Sequence, residues 1–171
     1  QDQCRQARSR LDGQRKRRRE EAAEHQVSRH QRKVIHRVSF RAFVAATEDE
    51  DKVREALLIF VPLDSIMVTT ATGHHGNPIR ILDAMLKKKD GLAFFRMLKE
   101  QMSEEDLTRL HRELPQRLNN SSQLHFRLDK QAASKGKVCL TDDKDAIAVS
   151  ALIESYPASY EEALRIAGEL L

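Results

Sequence analysis

The sequence predicts an α+β domain in which a twisted, mostly antiparallel sheet carries helices packed on one face. Three observations lead there. Several short stretches alternate apolar and polar residues with a period of two, the mark of half-buried strands. Others place apolar residues at helical spacing behind a capping residue and acidic neighbours. The two kinds mix along the chain without the strict alternation that a parallel sheet requires. A length of 171 residues suits one domain with an appendage and is enough to bury a core. With 40% hydrophobic and 33% charged residues, the composition is globular with a heavily solvated surface.

Residues 1–32 stand apart. They hold almost no periodic apolar residues and include the run Arg15-Lys16-Arg17-Arg18-Arg19. Such a segment cannot bury enough surface to offset its ordering entropy, so a basic, disordered or transiently helical tail is expected there. It reads equally as an electrostatic arm for nucleic acid or as a dispensable extension. Residues 33–171 are expected to form the single folded domain.

Within that domain, Val34 to Ala45 alternates strictly and is rich in β-branched and aromatic residues, which predicts a long strand. Thr47 followed by Glu50 reads as a capping box, opening a helix with Val53, Ala56, Leu57 and Phe60 on one face. Pro62 stops it. Ser65–Ala71 and Ile79–Leu86 follow as strands, with Thr72–Pro78 as the loop between. Asp90 is the expected cap of a helix reaching Gln101, with Leu92, Phe95 and Leu98 inward. Ser103 starts another, running to about Leu118 unless Pro115 ends it sooner. Asn119–Ser122 is a turn. Leu124, Phe126 and Leu128 mark a strand, Val138–Leu140 a short one, and Asp145–Ile153 the last. Ser159 caps a final helix carrying Leu164, Ala167 and Leu171.

The pI of about 9.2 suggests a nucleic-acid partner, but the charge is unevenly spread. Residues 1–33 hold 11 Lys and Arg against 5 Asp and Glu, while the other 138 hold 19 against 21. Any RNA site on the folded part must therefore be a local patch. No apolar run approaches the roughly 20 residues that span a bilayer, and no apolar segment with a cleavage site follows the basic start. A cytoplasmic location is expected. Cys4 and Cys139 stand alone, without neighbours at zinc spacing. Neither a phosphate-binding Walker loop, a dinucleotide fingerprint nor a nucleophile elbow occurs, so no catalytic residue, metal or cofactor is expected.

Three places could carry binding chemistry. Arg37 and Arg41 point the same way from one strand, and His125 and Arg127 share the polar side of another. If those strands are near neighbours, the groups converge on an open face suited to phosphates and bases. An ordinary solvated sheet face explains the same spacing. Lys130, Lys135 and Lys137 offer cations after a strand, with Gly136 allowing close approach, or simply make a solvated hairpin turn. In Gly73-His74-His75-Gly76-Asn77-Pro78 the glycines could form an anion nest with His74 and His75 as donors, or a tight turn.

With these segments in view, the chain resembles a family of small archaeal proteins described as RNA-binding proteins or predicted exosome subunits. The likeness rests on Val38-Ser39-Phe40-Arg41-Ala42-Phe43-Val44-Ala45-Ala46-Thr47-Glu48-Asp49, on Gly73 to Ile79, and on Phe126-Arg127-Leu128-Asp129-Lys130-Gln131-Ala132-Ala133. The last is the most specific, and the likeness runs from about Val34 to Ile153. It implies a fold similar to the large-subunit ribosomal protein that binds the small ribosomal RNA. It also implies RNA binding without catalysis, exosome or ribosome-related protein partners, and a dimer. The family often has an aromatic where this chain has His75 and a bulky residue near Ser134. The expected RNA contacts are thus Arg37, Arg41, Arg127, Lys130, Lys135 and Lys137, with His74 and His75 secondary. The rival readings are a protein–protein adaptor or assembly factor, and a metal-dependent phosphoesterase built on the His and Asp loops.

Overall fold

The computed structural model describes residues 34–171 apart from 46, 74, 75 and 77. The basic tail expected at 1–32 lies outside the described residues, as do His74 and His75. The strand expected from alternation is β1 (Ile35–Val44), and it occupies the centre of a five-stranded sheet. Its neighbours are β3 (Pro78–Lys87) on one side and β5 (Ala146–Ile153) on the other; β2 (Ile66–Thr72) and β4 (Gln123–Asp129) form the two edges. Every pairing is antiparallel.

Along β1, Val38, Phe40, Ala42 and Val44 are buried while Arg37, Arg41 and Phe43 are exposed. The same alternation in β4 and β5 gives the sheet one dry face and one wet face. On the dry side lie α1 (Glu50–Leu58), α2 (Lys88–Gln101), α3 (Glu104–Arg112), α4 (Leu114–Arg117), α5 (Lys130–Ser134) and α6 (Tyr160–Leu170). Their buried residues and those of the sheet make a single core. Phe94 is its hub: it meets Phe40 edge-on at 4.9 Å, Phe95 at 5.5 Å and Phe60 at 6.0 Å, and stacks on Phe126 at 6.5 Å. The α+β class with helices on one face is therefore as the sequence predicts.

Several local expectations are corrected. The N-cap of α1 is Asp49, whose carboxylate accepts from the Asp51 N–H, and not Thr47. The reason is a turn after β1, closed by Glu48 N–H to Ala45 C=O at 2.9 Å, which delays the helix. Asp90 does not cap α2, because that helix leaves β3 directly at Lys88 and has no side-chain cap. The helix expected to run to Leu118 breaks at Glu113, and Pro115 stands in the first turn of α4, where its missing N–H costs nothing. Val138–Leu140 is not a sixth strand. It makes two isolated bridges, to Met102 and Leu128. Thr141 N–H also donates to Arg127 C=O and Asp129 N–H to Cys139 C=O, which covers the outer edge of β4. The caps Ser103 and Ser159 are as expected, accepting from Asp106 and Glu162.

Helix α2 lies close on β1 at Gly91. A Cβ there would stand 3.0 Å from Ile35 Cγ2 and 3.0 Å from Val38 Cγ2, both buried in the sheet's dry face. Ala would raise helix propensity by about 1 kcal/mol, but overpacking a rigid core costs about 1–3 kcal/mol. Gly91→Ala should therefore lower stability by about 1 kcal/mol and the melting temperature by about 3 °C, read by calorimetry. A rise would mean that the helix can lift off the strand.

Candidate nucleic-acid interface

The wet face can be read row by row from the strand register. One row runs Met67, Asp83, Arg41, Ala148, Arg127 from β2 to β4. The next runs Met85, Ser39, Ser150, His125, and the one beyond it Lys87, Arg37, Leu152, Gln123. The expectation that Arg37, Arg41, His125 and Arg127 share a face thus holds. They come together because β5 alone separates β1 from β4, which puts Arg41 and Arg127 about 10 Å apart.

The cations on this face differ in how free they are. Arg41 grips Asp83 with two bonds, 2.7 and 3.2 Å, and the carboxylate holds its guanidinium above the ordinary arginine range. Among the described residues, Arg127 donates only to the Asp142 main-chain oxygen at 3.3 Å. Arg37 and Lys87 sit directly opposite each other, and neither has an ion pair among the described residues. Like charges directly across a strand pair are destabilising. A body carrying 19 cations against 21 anions keeps this pair unneutralised on an open face.

Two grooves meet here at His125 and Ala148. One of about 530 Å³ is lined by Arg117, Asn119, His125, Arg127 and Asp142. The other, of about 240 Å³, is lined by Ser39, Arg41, Asp83 and Ser150. The rim of the first is a salt-bridge cluster: Arg117 bonds Glu113 at 2.6 Å and Asp142 at 3.1 Å, and Arg109 bonds both carboxylates. Arg117, with Arg109 second, holds the Glu113 and Asp142 carboxyls below their usual range.

Lys130 departs from expectation. It is not a free contact on a hairpin turn but a buried residue at the start of α5, 3% exposed. Its ammonium donates to Phe43 C=O at 3.0 Å, Glu48 at 2.7 Å and Asp145, which uses all three N–H bonds. The segment is helical because Asp129 caps it, accepting from Ala132 N–H at 2.6 Å. Lys135 and Lys137 do stand exposed after it, flanking Gly136 with φ +75°. Spacing alone did not single out Lys87, Lys88 and Lys89, all exposed at the β3–α2 junction. Their signal was three lysines opening a helix, where the dipole disfavours cations. Among the described residues, no three His, Cys, Asp or Glu side chains gather as a metal site.

A family model described as RNA binding matches residues 37–153, a span that holds every row described above. "RNA-binding protein PAB1135" of Pyrococcus abyssi is 29% identical over 143 residues, covering 80% of this chain and 93% of its own. Among solved structures, AF2318 from Archaeoglobus fulgidus is 36% identical with a TM-score of 0.72, over 80% of this chain and 99% of that one. Mth689, a DUF54 protein from Methanothermobacter thermautotrophicus, is 33% identical with a TM-score of 0.65, over 81% and 98%.

Removing the Lys130 charge would leave Glu48, Asp145 and the Phe43 carbonyl without their shared donor. Breaking a buried pair costs about 3–5 kcal/mol, less here because Asp145 is 60% exposed. Lys130→Met should therefore lose about 2–3 kcal/mol in chemical denaturation. A loss below about 0.5 kcal/mol, the size of an ordinary surface change, would show the cation to be peripheral.

Proposed function

This chain belongs to the RNA-binding family, and from that premise we propose that it is a non-catalytic RNA-binding protein whose contact surface is the open face of the sheet. The observation that carries the reading is the unneutralised pair Arg37 and Lys87, with Arg127 two strands away. Phosphates would lie across the face between these cations, displacing counterions, so affinity falls as salt rises. Arg41 would be a weaker contact, since Asp83 already holds it. Lys135 and Lys137 would extend the basic track beyond the end of β4, with His74 and His75 secondary. Lys130 takes a different part: it holds the frame rather than the RNA. The likeness to a large-subunit ribosomal protein belongs to this same reading, a twisted sheet with one side left to RNA.

One observation favours a second reading, contact with protein. The edge strand β2 has no charged residue in its seven positions and is exposed nearly throughout, Met67 and Val68 on its two faces included. Uncharged, exposed edges invite pairing. A second copy, or an exosome or ribosome-related protein, would meet the molecule there and not on the basic face.

The test is RNA-binding anisotropy over a salt series, with the full chain and a chain shortened to begin at Arg32. The shortened chain should still bind. Lys87→Ala and Arg127→Ala should each weaken binding and flatten the logarithmic salt slope by about 0.7, the value for one phosphate contact on a single strand. Asp83→Asn, which releases Arg41, should tighten binding. If binding vanishes with residues 1–31, the fold only carries a basic arm. An assembly dissolved by Val68→Lys would then make the β2 edge the working surface.

A further inference from the structure

The chain has six phenylalanines, and five of them interlock in the core. Phe43 does not. It points from β1 to the wet face, 47% exposed, two residues beyond Arg41 and therefore about 7 Å along the same face. Its cross-strand neighbour is Ile81, with Thr69 beyond, so one flank is uncharged. On the other flank, β5 pairs with β1 only as far as Arg41 and Ala148, so no paired residue stands opposite the ring. Leaving an aromatic of this size in water costs stability that the core could have recovered. The main chain beneath it is held firmly, because buried Lys130 donates to the Phe43 carbonyl at 3.0 Å.

We infer that Phe43 is a base-stacking residue, so that the open face takes single-stranded or looped RNA in preference to duplex. The inference rests on the open-face reading above and adds the class of ligand. A duplex keeps its bases stacked on one another and offers the protein phosphates and sugars. A ring standing beside a row of cations has a use only if bases are unstacked and can lie on it. Arg41, Arg127 and Arg37 would follow the backbone while Phe43 takes one base. Lys130 acts as a positioning residue, setting the height and direction of the ring through the carbonyl it binds.

The chain contains no Trp, so Phe43→Trp places a single indole at this spot. The full-length Phe43→Trp chain should bind oligouridylate as the parent does, and its emission should be quenched by that RNA but not by polyphosphate, which has charge without bases. Phe43→Ala and Phe43→Leu should each weaken single-stranded binding about ten-fold, the worth of one stacked base, and leave polyphosphate and duplex RNA binding unchanged. Unaltered oligouridylate binding by Phe43→Ala, while Arg127→Ala still weakens it, would overturn the stacking role and leave the RNA reading standing. No RNA binding by the parent would remove both. If Phe43→Ala instead dissociates a dimer seen by sedimentation, the ring serves a protein contact and the inference fails.

Discussion

Burial of Val38, Phe40, Ala42 and Val44 beneath α1 and α2 commits β1 to one dry side, and β1 is the strand to which both halves of the sheet attach. Because side chains alternate in a strand, that choice also determines what stands on the other side. Slipping the register by one residue would bring Arg37, Arg41 and Phe43 into the phenylalanine cluster, at a cost no fold of this size could bear. The core and the candidate binding surface are thus two consequences of one alternation. Antiparallel pairing carries the same choice outward, to Lys87 on β3 and to His125 and Arg127 on β4.

Charge is distributed to match. Carboxylates neutralise cations in three clusters: Glu113 and Asp142 with Arg109 and Arg117, Glu48 and Asp145 with Lys130, Glu50 with Arg54 and Arg80. Among the described strand residues of the wet face, Asp83 does so for Arg41. Exposed ion pairs are worth little, so their presence elsewhere says more about where positive charge is left over than about stability. On the wet face the cations left without a carboxylate among the described residues are Arg37, Lys87 and Arg127, on a surface of open grooves. Such a surface suits a long polyanion better than a small substrate.

Much of this was legible in the sequence, and the parts that were not share a cause. The alternation in Val34–Ala45 foretold β1, and the spacing of Arg37 with Arg41 and of His125 with Arg127 foretold their common side. Spacing cannot report a partner that is distant in the chain. Arg41 is tempered by Asp83, 42 residues on, and Lys130 is drawn inside by Glu48 and the Phe43 carbonyl, 82 and 87 residues away. Read locally, Lys130 is one more cation in a basic turn. Lys87 is invisible to spacing for a similar reason: its meaning comes from Arg37 across the register, not from its neighbours. Asp129, two positions after Arg127, could have warned that the turn is a capped helix.

Whether RNA meets the wet face of the sheet can be read by amide and arginine side-chain NMR of the full chain during titration with a short single-stranded RNA. Shifts are expected at Arg37, Ser39, Arg41 and Phe43 on β1 and at His125 and Arg127 on β4, with α2 beyond its first turn and α6 unmoved. Shifts gathered instead on β2, on α6 or only within residues 1–33 would contradict this placement.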